Sequence, residues 1–235
     1  MAHCLACFPT RFVAGLVLLL SGCTAPSTVA QPLVPPTVEV CAAEPVLAVV
    51  GEPVDFIAAV GGKVDTASWD FGDGTTAAVR DTTHTYAEPG VYGAAFTAAN
   101  AAGRTACTAT VVVDAPYCLD IVELNSVYFG RNSSRIDDGM ADPNTEARLA
   151  ENLELILSCP SMAIEIGGVA QARERRPRTL AEERAQAVGA YYIKGGARPE
   201  QIRIIEGTIT TSDPDESGPI VRTRRADSFP RPAQR

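Results

Sequence analysis

A chain of 235 residues with 28 acidic and 20 basic side chains carries a formal net charge of −8, and its isoelectric point lies near 4.8. That balance lacks the basic footprint that nucleic-acid binding needs, so no nucleic-acid partner is expected. The length allows two small domains of ordinary size.

The first element in chain order is residues 12–20, an apolar run that follows Arg11. At about 1.5 Å of rise per residue it is far too short to cross a bilayer as a helix. It reads as the hydrophobic stretch of a secretory signal at residues 1–22, with a weak basic region in which His3 and Arg11 are the candidate cations. Leu20-Ser21-Gly22-Cys23 closes the run and resembles the bacterial lipobox. That resemblance implies a diacylglycerol thioether on Cys23 and a further acyl chain, such as palmitate, on its freed amine. Two or three such chains, at about 0.8 kcal/mol per buried methylene, hold a protein on a membrane without spanning it. Thr24 stands where an aspartate would signal retention on the inner membrane, which implies the outer membrane, facing the periplasm or exposed at the cell surface. The other reading is a plain secretory signal with an incidental cysteine. Cleavage removes Arg11 as the only charged side chain besides the histidine and leaves a mature charge of about −9.

Residues 23–39 are rich in Pro, Thr and Ala without an apolar period, and are expected to form a linker. Residues 40–115 hold short β-rich stretches at 46–50, 54–60, 91–98 and 105–113, separated by Gly and Asp turns as in a β-sandwich. Their centre is Trp69-Asp70-Phe71-Gly72-Asp73-Gly74-Thr75, followed by His84-Thr85-Tyr86, Glu88-Pro89-Gly90-Val91-Tyr92 and Asn100-Ala101-Ala102-Gly103. These elements resemble the PKD (polycystic-kidney-disease) repeat. The resemblance implies an immunoglobulin-like sandwich with the Trp69 ring in its core, used as a spacer or contact module in exported proteins. Asp70 and Asp73 are read as caps of the glycine turn, with calcium ligation the alternative, and His84 as a structural residue of the motif.

Residues 116–208 form the second globular part. A strand is expected over 121–129, with Leu124, Val127 and Phe129 supplying its bulk. Asp142-Pro143 opens a helix whose apolar face is Leu149, Leu153, Ile156 and Leu157. A second strand covers 162–166. Thr179-Leu180-Ala181-Glu182 has the capping-box pattern and starts a helix that carries Ala181, Ala185, Val188 and Tyr192 and stops at Gly195-Gly196. A third strand covers 201–205, so the order βαβαβ implies a two-layer α/β domain. Residues 209–235, with Arg222, Arg224, Arg225, Arg231 and Arg235, show no apolar period and are expected to be a disordered tail that could meet an anionic surface.

Val127-Tyr128-Phe129, Ile164-Glu165-Ile166 with Gly168, Leu180 with Arg184-Ala185, and Gly195-Gly196-Ala197 occur in an order and spacing that resemble the OmpA C-terminal domain, shared with peptidoglycan-associated lipoproteins and flagellar-stator wall anchors. The resemblance implies non-covalent binding of the diaminopimelate unit of peptidoglycan stem peptides. An anion takes the ligand's ammonium and an arginine fork takes its carboxylate. Carried over by position, Arg184 is that arginine, and Gly168 and Gln171 are the other peptidoglycan-binding candidates, Gln171 standing where the family has its ammonium-binding carboxylate. The family's Gly-His-Thr-Asp reads Gly168-Val169-Ala170-Gln171 here, and its asparagine falls on or near Pro177. The loop instead holds Arg173, Arg175, Arg176 and Arg178 against Glu174, a candidate anion site whose bland alternative is a solvated loop.

Two functions stay open at this stage. One is a lipoprotein linking the outer membrane to peptidoglycan. The other is an envelope or cell-surface assembly subunit that uses both domains for protein contacts. An enzyme is not expected, since no nucleophile–base arrangement or phosphate loop is present, and no cofactor is implied. Cys41, Cys107, Cys118 and Cys159 remain after cleavage and acylation and allow three pairings. Pairing within each domain gives Cys41–Cys107 and Cys118–Cys159, suited to an oxidising exterior. Those four show no CxxC spacing and the mature chain has one histidine, which argues against zinc.

Overall fold

A computed structural model of the protein describes residues 32–136, 142–211 and 224–231. The lipobox with Cys23, the signal segment, and Arg222 and Arg235 of the tail lie outside the described residues.

The first domain is a sandwich of two sheets. One has the order β1–β3–β6, from Thr37–Glu44, Pro53–Gly61 and Thr82–Thr85. The other has the order β2–β8–β7–β4–β5, where β2 is Leu47–Val49, β4 Thr66–Asp70, β5 Thr76–Ala77, β7 Gly90–Asn100 and β8 Gly103–Asp114. The strands alternate: in β3, Val54, Phe56 and Ala58 are buried while Pro53, Asp55 and Ile57 are exposed, the period-2 pattern of a half-buried sheet. Trp69 is fully buried between Phe56 and Phe96, with ring centroids 5.2 and 5.1 Å away. Its indole N–H donates to the Arg80 carbonyl at 2.7 Å, which satisfies the one polar atom in that ring. Cys41 of β1 and Cys107 of β8 are joined across the two sheets. β1 starts at Thr37, so the last residues assigned to the linker belong to the sandwich, where Thr37 pairs with Gly61.

No free linker separates the domains. The Asp114 carboxylate, buried at the end of β8, accepts the Ser161 amide at 3.0 Å and the Ser161 hydroxyl, and the Ala115 amide donates to the Ser158 carbonyl at 2.9 Å. A disulfide joins Cys118 to Cys159 just beyond this junction.

In the second domain β9 (Val127–Tyr128), β10 (Ala163–Gln171) and β11 (Ile202–Ile204) run in one direction, with α1 (Thr145–Ser158) and α2 (Pro177–Lys194) between them in the chain. β12 (Thr208–Thr210) continues the edge beside β10. The expected βαβαβ order is present but is not the whole sheet. A further strand, β13 (Arg225–Arg231), runs antiparallel between β10 and β9, giving β11–β10–β13–β9. This corrects the reading of 209–235 as a disordered tail. Ala226, Ser228 and Pro230 turn inward while Arg225, Asp227, Phe229 and Arg231 are less buried, an alternation written in small residues. The arginines of this strand are partnered: Arg225 reaches both oxygens of Asp227 at 2.8 Å, and Arg231 pairs with Glu165 at 3.1 Å.

Three local expectations shift. The strand expected at 121–129 is regular only at Val127–Tyr128. The first helix begins at Thr145, two residues later than expected, because Asp142 uses its carboxylate on the Asn144 amide and Arg148 instead of on the helix amides. The second begins at Pro177, two residues before the capping-box Thr179, with Arg176 at its N-cap and no side-chain cap. Leu149, Ile156, Met162, Ile164, Ile166, Val188 and Tyr192 form the core between helices and sheet. Among the described residues no helix is long and apolar enough to cross a membrane.

Candidate functional site

The carried-over site lies where β10 ends and α2 begins. Gly168 sits in β10 against the helix, and a Cβ there would fall 1.7 Å from the Ala181 carbonyl oxygen. The residue is required for close packing of strand on helix, which accounts for it without a ligand role.

Arg184 projects from α2 into the interior, and its side chain is 0% exposed. Nε donates to the Ser133 carbonyl at 2.9 Å. One terminal nitrogen donates to the Val169 carbonyl at 2.8 Å and to Glu174 Oε2 at 2.9 Å. The other donates to the Gly130 carbonyl at 3.2 Å and to Glu174 Oε1 at 2.7 Å. A guanidinium has five N–H donors, and all five are engaged. The Phe129 ring lies 5.5 Å from its central carbon. In the structure the fork expected to grip a stem-peptide carboxylate is filled by the chain's own Glu174.

Glu174 is as buried as its partner. Besides Arg184 it accepts the Asn132 amide at 2.8 Å and the Gln171 amide at 3.0 Å. Burial raises the pKa of its carboxyl, but the Arg184 hydrogen bonds, the two amides and the Arg184 charge outweigh burial and hold it below the ordinary value. Gln171, expected to bound the ligand, is buried at the end of β10 beside Thr210, and its Nε2 meets no acceptor among the described residues. Sequence reasoning counted Glu174 only as the acid opposing four arginines and missed its role, together with Asn132. The one available signal was a lone acid in a basic loop ten residues before an arginine on an apolar helix face.

Arg173, Arg175, Arg176 and Arg178 are all exposed, while Glu174 between them turns inward. The Arg175 amide donates to Asn132 Oδ1 at 2.7 Å. Arg176 approaches Glu183 at 4.0 Å with most of its side chain in solvent.

In the sandwich, Asp70 accepts the Gly72 amide at 3.0 Å, and Asp73 accepts the Thr75 amide and hydroxyl at 2.9 and 2.6 Å, as expected of turn caps. His84 Nε2 lies 2.7 Å from Asp73 Oδ2, and its ring stacks on Phe71 at 4.1 Å. Among the described residues no three His, Cys, Asp or Glu side chains gather as a metal site.

Comparison with known proteins fits the two halves separately. Residues 37–113 match the PKD domain family, so the chain carries a PKD domain over about a third of its length. The structure is similar to the peptidoglycan-associated lipoprotein from Burkholderia pseudomallei, at 21% identity over 48% of this chain and 93% of that one, with a TM-score of 0.38. It is similar to the PKD domain from human VPS10 domain-containing receptor SorCS2, at 26% identity over 46% of this chain and 98% of that one, with a TM-score of 0.32. It is also similar to the OmpA-like domain of FopA1 from Francisella tularensis, at 14% identity over 60% and 78% of the two chains, with a TM-score of 0.35. No curated protein matches the sequence.

Proposed function

We propose that the protein is a non-enzymatic structural subunit of a bacterial envelope, tethered to the outer membrane through lipid on Cys23. The PKD sandwich spaces the C-terminal domain from the membrane, and that domain docks by its outer surface and not through an internal diaminopimelate pocket. One observation carries this choice over wall binding: Arg184 has no donor left for a ligand carboxylate, because Glu174 and three carbonyls take all five. A ligand entering that fork would have to expel a bidentate internal carboxylate, and breaking a buried ion pair costs about 3–5 kcal/mol. The two disulfides support an oxidising, exported location. The hydrogen-bonded junction at Asp114 supports a spacer that sets position, since a flexible joint would not.

The test is sedimentation of lipid-free mature protein with isolated sacculi. The protein is expected to stay in the supernatant. Saturable pelleting that a diaminopimelate-containing stem peptide competes away would overturn the reading in favour of wall binding. Labelled palmitate is expected to enter the wild-type chain in its own cell and not Cys23→Ser; labelling of that variant would remove the tether.

A further inference from the structure

The sheet of the second domain ends at β11 and β12, which share one side of β10 and have no strand on their other side among the described residues. The Ile205 amide donates to the Ile166 carbonyl at 3.0 Å, and the Thr210 carbonyl accepts the Ala172 amide at 2.9 Å, so Ile205 and Thr210 address β10. Main-chain groups of successive strand residues point to alternate sides. Ile204 and Ile209 therefore present an N–H and a C=O outward, and neither has another partner for them among the described residues. Sheet edges are commonly guarded by lysine, proline or a covering element. Here the strands read Ile-Arg-Ile and Thr-Ile-Thr, and the Arg203 side chain is drawn to Glu165 of β10 at 3.2 Å. Ile204 stays 37% exposed.

α2 supplies a facing wall. Glu182 and Gln186, one turn apart on that helix, look across a groove of about 600 Å³ at Ile204, Glu206 and Ile209. Close contacts set the walls. A Cβ on Gly189 of α2 would lie 3.2 Å from Ile204 Cδ1, and a Cβ on Gly207 would lie 2.7 Å from the Ala181 Cβ. The break between β11 and β12 is thereby fixed against the helix, and a preformed groove loses little conformational freedom on binding. The groove is also acidic. Glu182 accepts the Gln186 side chain, Glu206 is exposed with no partner among the described residues, and Arg178 is the one cation among the described lining residues.

We propose that this groove takes up a short extended segment of a partner protein as an added strand, with lysine or arginine side chains set against Glu182 and Glu206. Strand addition takes its affinity from main-chain hydrogen bonds and its selectivity from alternate side chains. Two three-residue strands separated by a bend suit a segment of a few residues and not continuous stacking of sheets. A second copy of this chain is the poorer occupant, because its own edge would bring the same carboxylates against these, in a chain whose net charge is −8. The proposal deepens the reading of a subunit that docks by its outer surface, and it can fail separately. Sacculus binding that a stem peptide competes away would overturn that reading and leave a titration of this groove unchanged, since Arg184 does not line it.

The experiment titrates the full mature chain, free of lipid, with an octapeptide of alternating valine and lysine at about 0.15 M salt, where exposed charges are screened beyond about 8 Å. Calorimetry reads the affinity, and amide hydrogen exchange by NMR reads the position. Saturable binding is expected, with slowed exchange at Ile204 and Ile209. The same peptide N-methylated at alternate residues, in either register, is expected to bind at least about ten-fold more weakly, because it lacks main-chain donors. A valine–glutamate octapeptide is expected to bind more weakly than the lysine one. The Glu182→Gln/Glu206→Gln variant, with unchanged circular dichroism, is expected to lose that preference. Absence of saturable binding, equal affinity for the N-methylated peptides, protection confined to other segments, or a lysine preference that survives in the double variant overturns the proposal. Slowed exchange at Ile204 that grows with protein concentration in the absence of peptide also overturns it, in favour of a second copy on this edge.

Discussion

Replacing Glu174 by glutamine tests the internal filling of the arginine fork. The change keeps the side chain's volume but removes its charge, leaving the Arg184 guanidinium buried without a counter-ion. It also turns one oxygen into an NH2 donor. Each Glu174 oxygen accepts two N–H groups, so whichever is replaced would face two donors. Breaking one side of a fully buried pair costs about 3–5 kcal/mol, and the retained oxygen argues for the lower end, about 3 kcal/mol. With a urea dependence of about 2 kcal/mol per molar, that moves the midpoint down by roughly 1.5 M. The two domains can be read separately. Trp69, the single tryptophan, reports the sandwich, while both α-helices among the described residues belong to the C-terminal domain. The loss is expected in the helical far-ultraviolet signal and not in Trp69 fluorescence. The double variant Glu174→Met/Arg184→Met, which removes both charges, is expected to recover much of the loss. A cost below about 1 kcal/mol for glutamine would refute the reasoning, because it would mean the pair opens readily and Arg184 is accessible to ligands after all.

The same pair sets an acid limit. The folded-state pKa of Glu174 lies below its ordinary value of 4.5, so its contribution is complete above the unfolded pKa and is lost as pH falls through the folded one. The stability gap between wild type and Glu174→Gln should therefore be full near neutrality and narrow below about pH 4.5, read from urea midpoints across pH. Gly168→Ala places a methyl 1.7 Å from the Ala181 carbonyl, which the helix can accommodate only by moving off the sheet. A loss above about 3 kcal/mol is expected, and a change below 1 would show that α2 shifts freely. Asp114→Ala leaves the Ser161 amide and hydroxyl without their acceptor, costing about 1–3 kcal/mol. The variant should also broaden the distance distribution between spin labels on the two domains, and an unchanged distribution would locate the rigidity elsewhere.

The sandwich was legible because its signals are local. Trp69, the glycine turn at Gly72 and Gly74, and the alternation along residues 54–60 act within a few residues, and the disulfide pairing within domains followed from the domain boundaries. β13 was not legible, for two physical reasons. Its inward residues, Ala226, Ser228 and Pro230, have too little apolar bulk to register as a period, and the outward Arg225, Asp227 and Arg231 resemble a solvated tail. The strand is specified instead by its partner β10, about sixty residues earlier, and by ion pairs such as Arg231 with Glu165. Pro230 is tolerated because the short β9 pairs only at Arg225 and Ala226, leaving that end of β13 a single neighbour.

Arg184 shows where reading by position stops. The arginine sits in a polar nest at the strand–helix junction. Its partner could not be inferred from spacing, because the direction of Glu174 depends on a backbone that passes through left-handed Arg176 and is pinned by Asn132, some forty residues earlier. Once Glu174 turns inward, the fork is filled from within the chain. A substitution that pulled Glu174 back to the surface should loosen the domain, because it would leave the Arg184 guanidinium buried without a counter-ion.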